Sequence, residues 1–164
     1  MKSLLIISDV HGYEDRLKRI LEIETVDMVV SLGDLEVSKE TQAQLDILIH
    51  GNAYLDPGEA KRVLDTEAFR IVFTHGHHEH VNRSDHGLYR LLKAHEADLL
   101  FHGHTHAARI SEVRGGWLIN PGAISHSRST FPESYGVLDV HENEAILTLK
   151  SVTSQPLKTH RFVK

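Results

Sequence analysis

Leu99–His106 reads LLFHGHTH, and the reading of this stretch decides the fold. An apolar run stops at Gly103, and two histidines follow with one residue between them. Residues i and i+2 of an extended segment point the same way, so His104 and His106 face one place. Two convergent imidazoles at a strand end form half of a metal site. Four earlier apolar runs end in residues of the same chemistry. Leu4–Ile7 runs into Asp9-Val10-His11, Met28–Leu32 into Gly33-Asp34, Leu45–Ile49 into Gly51-Asn52, and Phe69–Phe73 into Thr74-His75-Gly76-His77.

Helical patterns separate these runs. Leu17, Ile20 and Leu21 fall at helical spacing between Tyr13 and Glu24. Ser38 is placed to cap a short helix ending near Gln44, Glu59–Leu64 reads as another, and Ser84 can cap a helix carrying Leu88, Leu91 and Leu92. Beyond His106 the pattern becomes antiparallel: Arg109–Val113 and Trp117–Asn120 flank Gly115-Gly116, and Tyr135–Val140 and Ala145–Val152 flank a second turn. The tail Lys158–Lys164 reads as a solvated terminus. Strands alternating with helices predict an α/β fold with a largely parallel sheet, in a single domain over residues 1–164. Strand carboxyl ends share one edge in such folds, and sites form there.

Composition narrows the function. The chain is 40% hydrophobic and 25% charged, as ordinary globular domains are. A formal net charge of -5 argues against a general nucleic-acid binder. With no cysteine, disulfides and thiolate metal sites are excluded. No apolar run suits a membrane span or a signal peptide, so a cytoplasmic protein is expected.

The strand ends deliver Asp9, His11, Asp34, Asn52, His75, His104 and His106. Seven nitrogen and oxygen ligands exceed what one tetrahedral ion needs. They suit two divalent ions, manganese first, with nickel, zinc or iron as alternatives, and Asp34 is the carboxylate suited to bridge them. Each residue also has a plainer reading. Asp9 could cap the first helix, Asn52 could be a turn residue, and Arg128 could be an ordinary surface arginine rather than a phosphate contact. His50, His78, His80, His86, His95, His102, His141 and His160 read as structural or solvated.

The ordered series Asp9-x-His11, Gly33-Asp34, Gly51-Asn52, His75-Gly76-His77 and Gly103-His104-Thr105-His106 resembles the calcineurin-like metallophosphoesterases. Length and the closing Asn120-Pro121-Gly122-Ala123 with Arg128 resemble their single-domain, YfcE-type phosphodiesterase subgroup. The resemblance implies a four-layer α/β/β/α sandwich with a dimetal site at the strand carboxyl ends. By position, Asp9, His11, Asp34 and His106 would hold one ion, and Asp34, Asn52, His75 and His104 the second. It also implies a metal-bound hydroxide attacking the phosphorus of a small phosphodiester or phosphate ester, and a homodimer. No membrane or specific nucleic-acid partner is implied.

One departure matters. Many relatives carry a proton-donating histidine after the asparagine and then an aspartate, whereas Ala53 and Tyr54 stand here. Asp56, His77 or His126 would have to supply any acid. Two other readings compete. His75-Gly76-His77-His78-Glu79-His80 resembles the signature of metallo-β-lactamase-fold hydrolases, and a Vps29-like scaffold would keep the fold without catalysis.

Overall fold

The computed structural model describes residues 2–164. Strand β1 (Lys2–Ile7) shows how the layers arise. Its apolar run is continuous, and alternate side chains leave on opposite faces. Leu4 and Ile6 enter one buried cluster, Leu5 and Ile7 another, so both faces need a cover. Helix α1 (Glu14–Ile23) covers one face with Leu17 and Ile20, on the stripe the sequence predicts.

The chain continues through β2 (Met28–Ser31), α2 (Lys39–Gln42), β3 (Ile47–Leu48), β4 (Lys61–Asp65), β5 (Arg70–Thr74), α3 (His86–Ala94) and β6 (Leu99–Phe101). It ends in β7 (Arg109–Val113), β8 (Gly116–Asn120), β9 (Ser134–Val140), β10 (Glu144–Ser151) and β11 (Pro156–Val163). Six strands form one sheet in the order β11-β10-β9-β1-β2-β3, and five form another in the order β4-β5-β6-β8-β7. Ile6, Val30 and Leu147 of the first sheet meet Ile71, Phe73 and Phe101 of the second in a shared core. On the second sheet's far face, Leu88 and Leu92 of α3 pack over Val72, Leu100 and Leu118. The layers therefore run α/β/β/α, as expected. The expected largely parallel sheet is instead two mixed ones: β1-β2-β3 and β5-β6-β8 are parallel, and antiparallel strands complete both.

Three further expectations are corrected. Glu59–Leu64 is not a helix, because Lys61–Asp65 pairs antiparallel with β5. A run this short cannot nucleate a helix alone, and the open edge of β5 offers its backbone immediate partners. The tail is not a solvated terminus, because β11 pairs with β10 and buries Phe162 to 2% exposure. That burial stabilises by roughly 1.5–3 kcal/mol. The basic side chains Lys158 and Arg161 stay exposed on this edge strand, which discourages further pairing. The α3 cap is Asp85, not Ser84, and its carboxylate accepts from Arg109 at 2.6 and 3.0 Å rather than from the helix. Among the described residues no helix is long and apolar enough to cross a membrane.

Ser38 does cap α2, accepting from the Thr41 N–H. Its hydroxyl also donates to Glu14 at 2.5 Å, and the Thr41 hydroxyl donates to the same oxygen, tying α2 to the first turn of α1. These hydroxyls hold the Glu14 carboxyl at about 2. A depressed carboxyl stabilises the fold above its unfolded value of about 4.5 and loses that effect as pH falls through its folded value. Glu14→Gln should therefore lower the urea midpoint at pH 7, with a difference from wild type that fades between about pH 4.5 and 2. A pH-independent difference would refute this linkage.

Candidate metal centre

The parallel strands end in sharp turns, and the turns carry the ligands. Asp9, His11, Asp34, His104 and His106 all adopt positive φ, between 44 and 67°. Such a backbone is uncommon outside glycine and costs of order 1–3 kcal/mol at each site, so strain gathered here points to function. The turns are locked by hydrogen bonds: Asp9 N–H donates to Gly33 O, His11 N–H to Asp34 O, and Gly103 N–H to His75 O.

Two groups of donor atoms result, Asp9/His11/His106 and Asp34/His75/His104. Asp34 Oδ2 stands 3.4 Å from His11 Nε2 and 3.4 Å from His75 Nε2, so it lies between the groups. Asp9 Oδ1 lies 3.3 Å from His106 Nε2 and 3.9 Å from His11 Nε2. Asn52 Oδ1 and His104 Nδ1 approach His75 Nε2 at 3.1 and 3.2 Å. All seven residues named from the sequence are thus brought together.

The other half of each ligand is already engaged. Asp9 Oδ2 accepts from Ser8 Oγ at 2.6 Å and His104 N at 3.1 Å, while Oδ1 is buried without a hydrogen-bond partner. Asp34 Oδ1 accepts from Ala53 N at 2.8 Å, leaving Oδ2 to face the histidines. The rings are held from behind: His11 Nδ1 by Glu36 at 2.7 Å, His75 Nδ1 by Leu32 O at 2.8 Å, and His106 Nδ1 by His126 O at 2.9 Å. A proton on each Nδ1 leaves the Nε2 lone pairs aimed inward, as metal ligands require. The Asn82 amide lies 2.8 Å from His104 Nε2, which leaves Nδ1 on the inner side. An orphaned buried carboxylate oxygen among inward lone pairs fits divalent cations.

The charges are consistent with this. Burial pushes Asp34 up, but the His75 hydrogen bond and charge, the Ala53 N–H and His11 outweigh it and hold the carboxyl far below its usual range. Burial likewise pulls His75 down, yet Asp34 and Asp9 raise it. The carboxylates are ionised and ready to bind.

Close packing at glycines makes the approach possible. A Cβ on Gly51 would lie 2.0 Å from Asp34 Oδ1, and one on Gly103 would lie 1.9 Å from Ser8 Oγ. Neither position has room for a side chain.

The sequence gives no sign of several supporting residues. Asp56, considered as a displaced acid, does something else. Its carboxylate accepts from the N–H groups of Asp34 at 2.7 Å, Leu35 at 2.9 Å and Gly51 at 2.6 Å, pinning two ligand loops together. Glu36, Ser8 and Asn82 also escaped notice, because their neighbours become visible only when distant loops meet. His77 lies beside the centre, its ring 5.2 Å from that of His75 and 6.1 Å from that of His104. Burial and the surrounding histidines pull it down to about 4, which favours the neutral ring at neutral pH and makes His77 a poor general acid. Exposed His126 is 2.8 Å from the Tyr13 hydroxyl. The Arg128 side chain is exposed, and its backbone N–H donates to His106 O at 2.8 Å. His102 is fully buried against Arg109 and is structural. Glu79 accepts from the Thr74 hydroxyl and belongs to neither donor group.

Comparison with known proteins places this architecture. The model of the calcineurin-like phosphoesterase superfamily domain matches residues 1–143. The probable metallophosphoesterase YsnB of Bacillus subtilis is 31% identical over 147 residues, which is 87% of this chain and 86% of that protein. Among solved structures, a conserved uncharacterized protein from Streptococcus pneumoniae, described as a predicted phosphoesterase, superposes with a TM-score of 0.86 at 21% identity, covering 99% of this chain and 98% of that one. The phosphoesterase Yfce from E. coli gives 0.70 at 19% identity, covering 96% and 98%. Vps29 from Entamoeba histolytica, solved with zinc, gives 0.75 at 21% identity, covering 98% of each chain.

Proposed function

The chain belongs to the calcineurin-like phosphoesterase superfamily, and on that premise we propose that it is a dinuclear metal-dependent phosphodiesterase. The observation that carries this reading is Asp34 Oδ2 lying equally far from His11 and His75, between two groups of inward-facing donors. Asp9, His11, Asp34 and His106 would hold one ion. Asp34, Asn52, His75 and His104 would hold the other. Bound there, the ions would supply an activated water and neutralise charge developing at phosphorus. Manganese is the first choice for ligands that mix carboxylate, amide and imidazole.

The chain's own residues set the substrate range. Asn52, exposed at the rim, faces the second group and can orient a phosphoryl oxygen. Arg128, exposed and joined through its backbone N–H to His106 O, would meet the substrate's charge. Ala53 stands where relatives have an acid, and its N–H supports Asp34 instead. Leaving groups that need no protonation are therefore favoured. With Arg128 as its one assigned basic contact, the site would grip a diester's single charge better than a monoester's two.

The test compares hydrolysis of bis-p-nitrophenyl phosphate and p-nitrophenyl phosphate by metal-stripped protein refilled with Mn(II). The expected result is manganese-dependent turnover, faster on the diester. No turnover by protein holding two ions would favour the scaffold reading, to which the Vps29 likeness and Ala53 also point.

A further inference from the structure

Beside the seven ligands stands a third cluster, His50, His77 and His78, whose ring nitrogens lie within 4.8 Å of one another. It shares no residue with either donor group of the centre. His50 ends the β3 segment, where its N–H donates to Glu59 O at 2.9 Å, and His77 and His78 follow β5. The ring centroids are 5.9 Å apart for His50 and His77, 5.8 Å for His50 and His78, and 3.9 Å for His77 and His78. His77 Nδ1 is buried and has no hydrogen-bond partner. Leaving a buried polar atom unpaired is costly, so such an atom calls for a ligand.

We infer that His50, His77 and His78 form a separate site for a third divalent transition ion. Tetrahedral coordination at about 2.0–2.1 Å sets ligand nitrogens about 3.3 Å apart. Modest ring rotation closes the present spacing, and His78, exposed to solvent, is free to make it. The ligand chemistry selects the metal. Three neutral imidazoles without a carboxylate suit zinc, nickel, cobalt or copper, and suit manganese or magnesium poorly. Because His78 is exposed, water or a phosphate oxygen could reach an ion held there. The ion would adjoin the His75–His104 side of the main centre without sharing its ligands. On this assignment the His77 lone pair holds a cation, and His77 is not a proton donor.

The test is metal stoichiometry after loading and desalting, with Zn(II) and Mn(II) in parallel on wild type, His50→Gln/His78→Gln and Asp34→Asn. The expected result is one more zinc than manganese per chain, with that extra zinc lost in the histidine variant while its manganese count stays at the wild-type value. His78→Gln alone, at an exposed ring, should give the same selective loss. The inference is overturned if zinc and manganese counts match in wild type, or if both histidine variants retain the extra zinc or lose manganese together with it. Asp34→Asn separates this claim from the proposed function. If both hold, that variant loses the manganese pair and keeps the histidine-bound zinc. If only the main centre exists, zinc falls with manganese.

Discussion

Asp34→Asn is expected to cost the chain its metal pair and at least about three decades of turnover on an activated diester, while leaving the fold intact. Oδ2 lies in reach of both donor groups, 3.4 Å from His11 Nε2 and 3.4 Å from His75 Nε2. The amide is almost isosteric and can still accept from Ala53 N through Oδ1. Its NH2 would then point at His11 and His75, presenting hydrogens where a cation belongs. A metal pair contributes several kcal/mol of charge stabilisation in phosphoryl transfer, and each 1.4 kcal/mol is about tenfold in rate. Metal analysis and turnover on the same preparation check the prediction. A variant with wild-type metal content and rate would remove Asp34 from the centre.

The second large effect is expected at Gly103. In Gly103→Ala the new Cβ would meet Ser8 Oγ at 1.9 Å and Asp9 Oδ2 at 2.7 Å. Something must move, and overpacking of this kind costs about 1–3 kcal/mol. For a chain of this size each kcal/mol lowers Tm by about 2–4 °C. The chemical damage is greater than the mechanical. Ser8 and the His104 N–H occupy Asp9 Oδ2 and so present Oδ1 to the site, and loss of such outer support typically weakens metal binding about 10–100-fold. Ser8→Ala/Gly103→Ala separates the two effects. Removing the hydroxyl relieves the closest clash, so Tm should recover in part, whereas metal affinity should stay low because Asp9 has still lost its Ser8 donor. Full recovery of affinity would show that Ser8 does not orient Asp9.

The four-layer order was legible only through the family resemblance of the ordered motifs, whereas the apolar pattern by itself marked strands buried on both faces. Leu4–Ile7 has no polar member, and only a covered strand tolerates that. The metal ligands were legible for a related reason: polar residues that bind metals sit where apolar runs stop. What escaped notice depends on contacts distant in sequence. Nothing local in Pro156–Val163 announces a strand, because its pattern is half polar and Phe162 finds its place only against β10 and Trp117. Lys61–Asp65 became a strand because β5 had an open edge, a fact of topology. Asp56 was open to reading as a displaced acid because Ala53 and Tyr54 stand where many relatives have histidine and aspartate, but the backbone N–H groups it binds include two at residues 34 and 35. The left-handed backbone at five ligands was also hidden, since aspartate and histidine in those turns look no different in sequence from the same residues in ordinary loops.

The measurement that bears most directly on the account is anomalous diffraction from crystals soaked in Mn(II). The account predicts two peaks about 3.5–4 Å apart on either side of Asp34 Oδ2. One should lie among Asp9, His11 and His106, the other among Asn52, His75 and His104. A single peak that leaves Asp34 coordinating one ion, or no peak at these residues, would contradict a dinuclear centre.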